Sequence, residues 1–189
     1  MDLLAISELQ PKNPAHRLAL ESFCQRCAEL GIENNASIKN LKIEAFKDRH
    51  LKFWTTRDSR TDAIVGIAGA HELPEIGAGF YRVLFRGCIL PQYRGIGAPG
   101  LNKNHFGSYL FKNVTPLQIA WARSLGGQRF VITTNCEVQR GARATDRLFH
   151  LMEKQGYVKK IKEDESLFSV RQNVWELSDK LLAAMAASV

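Results

Sequence analysis

The stretch Phe80 to Leu90, FYRVLFRGCIL, is rich in β-forming apolar residues and stops at Pro91, after which the chain reads QYRGIGAPG. This is the signature of a strand that breaks into a glycine-rich turn. Glycine permits positive φ, so successive backbone N–H groups can converge on one point. A helix N-terminus following such a turn adds partial positive charge. The resulting nest suits a pyrophosphate, and Arg94 can add a charge-assisted contact. The surroundings agree. Residues 76–136 contain seven basic side chains (Arg82, Arg86, Arg94, Lys103, Lys112, Arg123 and Arg129) and no Asp or Glu. The flanking segments cancel each other, so the formal net charge of +7 resides in this block. A basic, acid-free, glycine-rich block in mid-chain reads as an anion pocket rather than a nucleic-acid tail.

The rest of the pattern alternates strands with helices. Leu3 to Ile6 reads as a short strand. Leu18, Phe23, Cys27 and Leu30 recur at helical spacing from Pro14, and Gly31 ends that helix. A second helix is expected over Ile38, Leu41, Ile43 and Phe46. His50–Arg57 and Ala63–Pro74 form a hairpin, and the long strand 80–90 follows after a turn at Gly77 and Gly79. Thr115-Pro116 is a good helix start, Thr as cap and Pro in the first turn, and Gly126-Gly127 ends that helix. Arg129–Asn135 reads as a buried strand and 141–155 as a helix stopped by Gly156. Strands near 157–162 and 167–177 and an Ala-rich tail helix over 178–187 complete the chain. With 189 residues, 45% hydrophobic and 24% charged, one globular domain spanning 1–189 is expected. The class is α/β with a mixed sheet.

Cysteine and termini add exclusions. Cys24 and Cys27 make a C-x-x-C pair, but no second pair with ligand spacing exists, so no metal site is expected. A three-residue spacing on a helix puts both thiols on one face, as packed, reduced residues. The N-terminus lacks a basic flank with a long apolar stretch, so a cytoplasmic protein without a membrane segment is expected.

The segment Ile89-Leu90-Pro91-Gln92-Tyr93-Arg94-Gly95-Ile96-Gly97 resembles motif A of the GNAT superfamily of N-acetyltransferases, V-x-P-x-Y-R-G-x-G. Ala122-Arg123-Ser124-Leu125-Gly126 is similar to the end of the family helix that follows that motif. Leu151-Met152-Glu153-Lys154-Gln155-Gly156-Tyr157 is similar to its L-Y-E-K-x-G-F. The resemblance implies a largely antiparallel central sheet that splits after its fourth strand, flanked by helices. It implies acetyl-CoA or another acyl-CoA as acyl donor. The pantetheine would lie along Cys88, Ile89 and Leu90, with a backbone N–H of Ile89 or Leu90 polarising the thioester. The pyrophosphate would lie on Arg94, Gly95, Ile96, Gly97, Ala98 and Pro99, and Asn135 would face the cofactor. Three departures stand out. Pro99 offers no N–H where the family has Gly or Ala. An insertion over 101–114 reads as a flap or a surface loop. Met152 replaces the family's tyrosine general acid, and a thioether cannot protonate a thiolate.

Direct acyl transfer also needs a base for the attacking amine. His71, Glu72 and Glu75 are the candidates, at the end of the strand before Phe80. His150 lies on the helix beside the expected thiol end. Cys88 has no partner histidine in the pattern and reads as a packed strand residue. Arg82 and Arg86 share a strand face by alternation and are candidates for an anionic acceptor. The expected activity is acetyl transfer from acetyl-CoA to a small-molecule or protein amine by direct attack in a ternary complex. The alternatives are an N-acyl amino acid synthase-like enzyme using longer acyl-CoA or acyl carrier protein, and a non-catalytic acyl-CoA-binding module. A monomer or homodimer is expected, and nucleic acid is disfavoured as a partner.

Overall fold

The computed structural model describes residues 3–32, 50–94, 109–136, 140–167 and 170–186. The second helix expected from Ile38 to Phe46, the turn residues Gly95, Ile96, Gly97, Ala98 and Pro99, and the first part of the 101–114 insertion lie outside the described residues.

Seven strands are seen among the described residues: β1 (Leu4–Glu8), β2 (Leu51–Asp58), β3 (Ile64–Glu72), β4 (Phe80–Ile89), β5 (Arg129–Asn135), β6 (Val158–Leu167) and β7 (Val170–Leu177). They form one mixed sheet in the order β1-β2-β3-β4-β5-β7-β6. The pairs β1–β2, β2–β3, β5–β7 and β6–β7 are antiparallel, and β4–β5 is parallel. The helices are α1 (Pro14–Glu29), α2 (Thr115–Ser124), α3 (Arg140–Lys154) and α4 (Asp179–Ala186). The α/β class and the largely antiparallel sheet expected from the sequence are both present.

The chain forms two compact units that share β4. The first holds Met1–His71 and Arg86–Thr115. Asn13 caps α1 by accepting a bond from the Ala15 N–H at 2.9 Å, with Pro14 in the first turn. The buried face of α1 is Phe23, Cys24 and Cys27, whereas Leu18 and Leu30 are exposed. The sequence grouping of Leu18 and Leu30 with that face is thus corrected. Leu18 lies five residues before Phe23, which turns it well round the helix, and Leu30 is already at the cap. Ile64 to His71 in β3 is buried throughout, and its small residues explain how. A Cβ on Gly69 would meet the Phe53 ring at 2.6 Å, and one on Gly66 would meet the Cys88 carbonyl oxygen at 3.2 Å.

The second unit holds Glu72–Phe85 and Pro116–Val189. Leu73, Phe80, Val131, Leu167 and Val174 form one of its clusters. A Cβ on Gly127 would meet Tyr81 at 2.7 Å and the Ala122 carbonyl oxygen at 2.8 Å, so only glycine lets the chain turn from α2 into β5.

Two boundaries differ from the sequence reading. Thr115 is not a cap: a π-helical turn, Leu110–Val114, runs straight into α2 and Thr115 is itself helical. The wider turn absorbs a proline that has no N–H to give. β6 also continues through the acidic run 163–165, past the end expected near 162. Two register shifts against β7 and a left-handed Asp164 (φ 56°) absorb the extra residues.

Candidate active site

β4 is irregular where the candidate site begins. Its parallel pairing with β5 covers Phe80, Tyr81 and Arg82 and then stops. Leu84 (φ 54°) and Arg86 (φ 53°) are both left-handed, a conformation that L side chains rarely adopt. The displaced Leu84 N–H donates to Oε1 of Gln118 on α2, at 2.9 Å and out of contact with water. This is a bulge, and it splits the ladder. Arg82 and Arg86, expected on one face, stand on either side of the left-handed Leu84, and both are half-buried. Arg82 lies over the Phe85 ring at 4.9 Å and donates from Nη2 to Gln172 Oε1 at 2.9 Å. Thr133 also donates to that Gln172 oxygen.

Beyond the bulge the backbone bonds sort the candidate cofactor residues. The Leu90 N–H donates to the Val65 carbonyl at 2.8 Å, and the Leu90 carbonyl accepts from the Tyr93 N–H at 3.0 Å. The Leu90 N–H is therefore already committed to β3. Successive N–H groups of a strand point to opposite sides, so the Ile89 N–H points away from β3. Cys88 is buried, and hydrogen bonding with the neighbouring Cys27 first and burial second push its thiol well above the ordinary range, which fits a packed residue and not a nucleophile.

The residues that launch the turn are fixed from β2. The Tyr93 hydroxyl donates to Asp58 Oδ2 at 2.8 Å. Arg60 donates to the same carboxylate through its backbone N–H (2.9 Å), Nε (3.2 Å) and Nη2 (2.9 Å). Hydrogen bonds from Arg60 and then Tyr93 hold the Asp58 carboxyl well below the usual carboxylate range. Asp58 in turn raises Tyr93, by hydrogen bonding first and burial second. Arg94 donates from Nε to the Ile89 carbonyl at 3.2 Å, so its charged head stands beside the strand end. Arg26 of α1 belongs to the same unit and donates from Nη2 to the Ile64 carbonyl at 2.5 Å.

The candidate bases are spread out. His71 is fully buried, opposite Leu51. Glu72 is half-buried at the end of β3, and its charge contributes, after burial, to raising Tyr81. Glu75 is exposed in the following turn. Asn135 ends β5 opposite Gln172. On α3, Met152 is half-buried, and His150 pairs with Asp146 at 3.4 Å and stands edge-on to Trp175. Asp146 also accepts bonds from Thr134 and Asn173, which ties His150 into a structural network. Asp58 and Gln118 were missed in the sequence. A polar residue beside buried Ile119 and Ala122 was the one available signal for Gln118.

A seven-stranded mixed sheet in this order, with a bulged fourth strand that ends in a 3-10 turn at Pro91–Tyr93, defines the architecture. Comparison with solved structures gives the particular fold, that of the GNAT acetyltransferases. The chain is similar to an acetyltransferase of the GNAT family from Staphylococcus aureus (TM-score 0.57, 13% identity, 92% of this chain and 98% of that one). It is similar to a dodecameric spermidine N-acetyltransferase from Vibrio cholerae (0.51, 12%, 93% and 92%). It is also similar to an N-acyl amino acid synthase from uncultured soil microbes (0.57, 9%, 98% and 96%). No protein-family model and no curated protein sequence matches the chain.

Proposed function

We propose that this protein is an N-acyltransferase that moves an acetyl group from acetyl-CoA to an amine by direct attack in a ternary complex. The observation that carries the reading is the part of β4 beyond Arg82, which has no partner in β5 among the described residues. Pairing to β5 stops at Arg82, and the Ile89 N–H points away from β3. An extended pantetheine can add to such an edge as a strand does. The Ile89 N–H then stabilises the oxyanion as the amine nitrogen bonds to the thioester carbon and the carbon–sulfur bond breaks. Arg94, standing at the end of the strand, meets the phosphates. The amine proton goes to a base, for which Glu72 is the candidate: it is less buried than His71 and more shielded than Glu75. The thiolate takes its proton from water, since Met152 has none to give.

A second reading, transfer of a longer acyl group to an amino acid, is supported by Arg82. Its guanidinium is half-buried and held by Gln172, a cation able to meet a carboxylate. The N-acyl amino acid synthase among the similar folds is consistent with it.

The test is calorimetric titration with acetyl-CoA, followed by transfer assays on a panel of amines and amino acids with acetyl, octanoyl and palmitoyl donors. Acetyl-CoA binding with acetylated amine product is the expected result. Preference for palmitoyl donors and amino-acid acceptors selects the second reading. Binding without any turnover selects a non-catalytic module. Glu72→Gln is expected to lower kcat at least tenfold with little change in acetyl-CoA affinity.

A further inference from the structure

All four cysteines are free thiols, and three of them lie in the first unit. Cys24 and Cys27 are on the buried face of α1, and Cys88 is near the end of β4. All three are buried, Cys27 completely. The Cys27 and Cys88 thiols are hydrogen-bonded to each other, so their sulfurs already meet where α1 packs on β4. The two sulfurs differ in character. Hydrogen bonding with Cys88 first, and the charges of Arg26 and Arg94 after it, lower Cys27 against the opposing effect of burial. Both arginines are anchored nearby, Arg26 on the Ile64 carbonyl and Arg94 on the Ile89 carbonyl. Cys27 is therefore the better nucleophile and Cys88 the resolving partner.

Cys88 also stands where a movement has consequences. A Cβ on Gly66 would meet the Cys88 carbonyl oxygen and Ile89 Cγ1 at 3.2 Å each, so β4 lies tight on β3 at this point. Ile89 follows directly in the chain, and Arg94 is bonded to its carbonyl. A disulfide is about 2 Å long, far shorter than any thiol–thiol contact. Closing one draws Cys88 towards α1.

We propose that Cys27 and Cys88 are an oxidation site: a hydroperoxide closes them into a disulfide that ties α1 to β4 and displaces the strand end carrying Ile89 and Arg94. The Cys27 thiolate attacks one peroxide oxygen and the O–O bond breaks. The departing oxygen leaves as water with the proton that Cys27 gave up, and Cys27 becomes a sulfenic acid. The hydrogen bond that raised Cys88 goes with the thiolate, and the Cys88 sulfur attacks that of Cys27. The S–O bond breaks, and the hydroxyl leaves as water with the Cys88 proton. Two thiols lose two electrons and the peroxide gains them. Burial selects an oxidant of water size, such as hydrogen peroxide. The disulfide does not depend on what the protein catalyses; its effect on acyl-CoA rests on the acyltransferase reading.

The test oxidises the native chain with hydrogen peroxide, then maps its peptides without reduction and titrates it with acetyl-CoA. A Cys27–Cys88 cross-linked peptide is expected, and dithiothreitol reverses it. Acetyl-CoA affinity is expected to fall at least tenfold in the oxidised chain and to return on reduction. Cys27→Ser, with Cys27→Ala as the substitute if serine does not fold, is expected to form no cross-link and to keep its affinity after peroxide. Cys24→Ala and Cys136→Ala are expected to respond as wild type. Absence of the cross-link, or a Cys24–Cys27 bridge in its place, overturns the oxidation site. A Cys27–Cys88 cross-link with unchanged acetyl-CoA affinity overturns the displacement of the strand end. A reduced wild type that binds no acetyl-CoA overturns the acyltransferase reading instead. The cross-link, and a change in the Ile89 and Arg94 amide resonances on oxidation, then still decide the proposal.

Discussion

Asp58 takes four hydrogen bonds from Arg60 and Tyr93, and through Tyr93 it ties the start of the glycine-rich turn to the end of β2. The tyrosine of the P-x-Y-R-G-x-G segment thus has a structural task that the motif does not disclose. Its pH consequence follows from the two shifts. Asp58 titrates below its unfolded value, so its contribution to stability is complete above about pH 4 and is lost as the pH falls further. Tyr93 titrates above its unfolded value, so its contribution is complete below about pH 10 and is lost as the pH rises beyond. Asp58→Asn is therefore expected to flatten the acid limb of a stability–pH curve measured by thermal unfolding. Tyr93→Phe is expected to cost about 1 kcal/mol at neutral pH. An acid limb unchanged in Asp58→Asn would show that the carboxylate is not what the turn leans on.

At the scale of elements, glycine and small residues decide how the strands and helices come together. The Cβ of Gly127→Ala would overlap the backbone oxygen of Ala122, which belongs to the last turns of α2 and cannot swing aside. The Cβ of Gly69→Ala would overlap only the Phe53 ring, which can tilt. Both are expected to destabilise, by about 1–3 kcal/mol, with Gly127→Ala at the upper end in chemical denaturation. Equal costs would mean that α2 yields as readily as a side chain. The same contrast explains what could be read in the chain. Strand and helix order followed from periodicity and from stops such as Gly31 and Gly156. The irregularity of β4 did not, because alternating apolar residues cannot signal left-handed conformations at Leu84 and Arg86. Nor did the join at Thr115-Pro116, since the residues that favour a cap are equally at home behind a π-turn. Nor did the continuation of β6 through 163–165, because nothing local shows that Asp164 can bulge while the strand runs on beside β7.

For the whole molecule the charge of +7 is the property that can be tested without knowing the acceptor. Within the acid-free block, 76–136, the basic residues do not all share one role. Arg129 is spent on Glu176 of β7, in a bidentate pair. Arg123 lies over Phe130 at 5.4 Å. Arg94 stays at the end of β4, next to the turn, with only its Nε committed to the Ile89 carbonyl among the bonds described. If the block serves the phosphates of an acyl-CoA, the attraction is between exposed charges and weakens with salt. The Debye length shrinks from about 10 Å at 0.1 M salt to about 3 Å at 1 M. Acetyl-CoA affinity is expected to fall several-fold over that range, whereas S-acetyl-pantetheine, which lacks the phosphates, binds more weakly and with almost no salt dependence. Arg94→Gln is expected to remove much of the slope for acetyl-CoA and leave the pantetheine thioester unaffected. Arg123→Gln, whose charge lies over an aromatic ring, is expected to leave the slope as it is. Equal slopes for the two ligands would mean that the excess charge of this chain answers to some other anion.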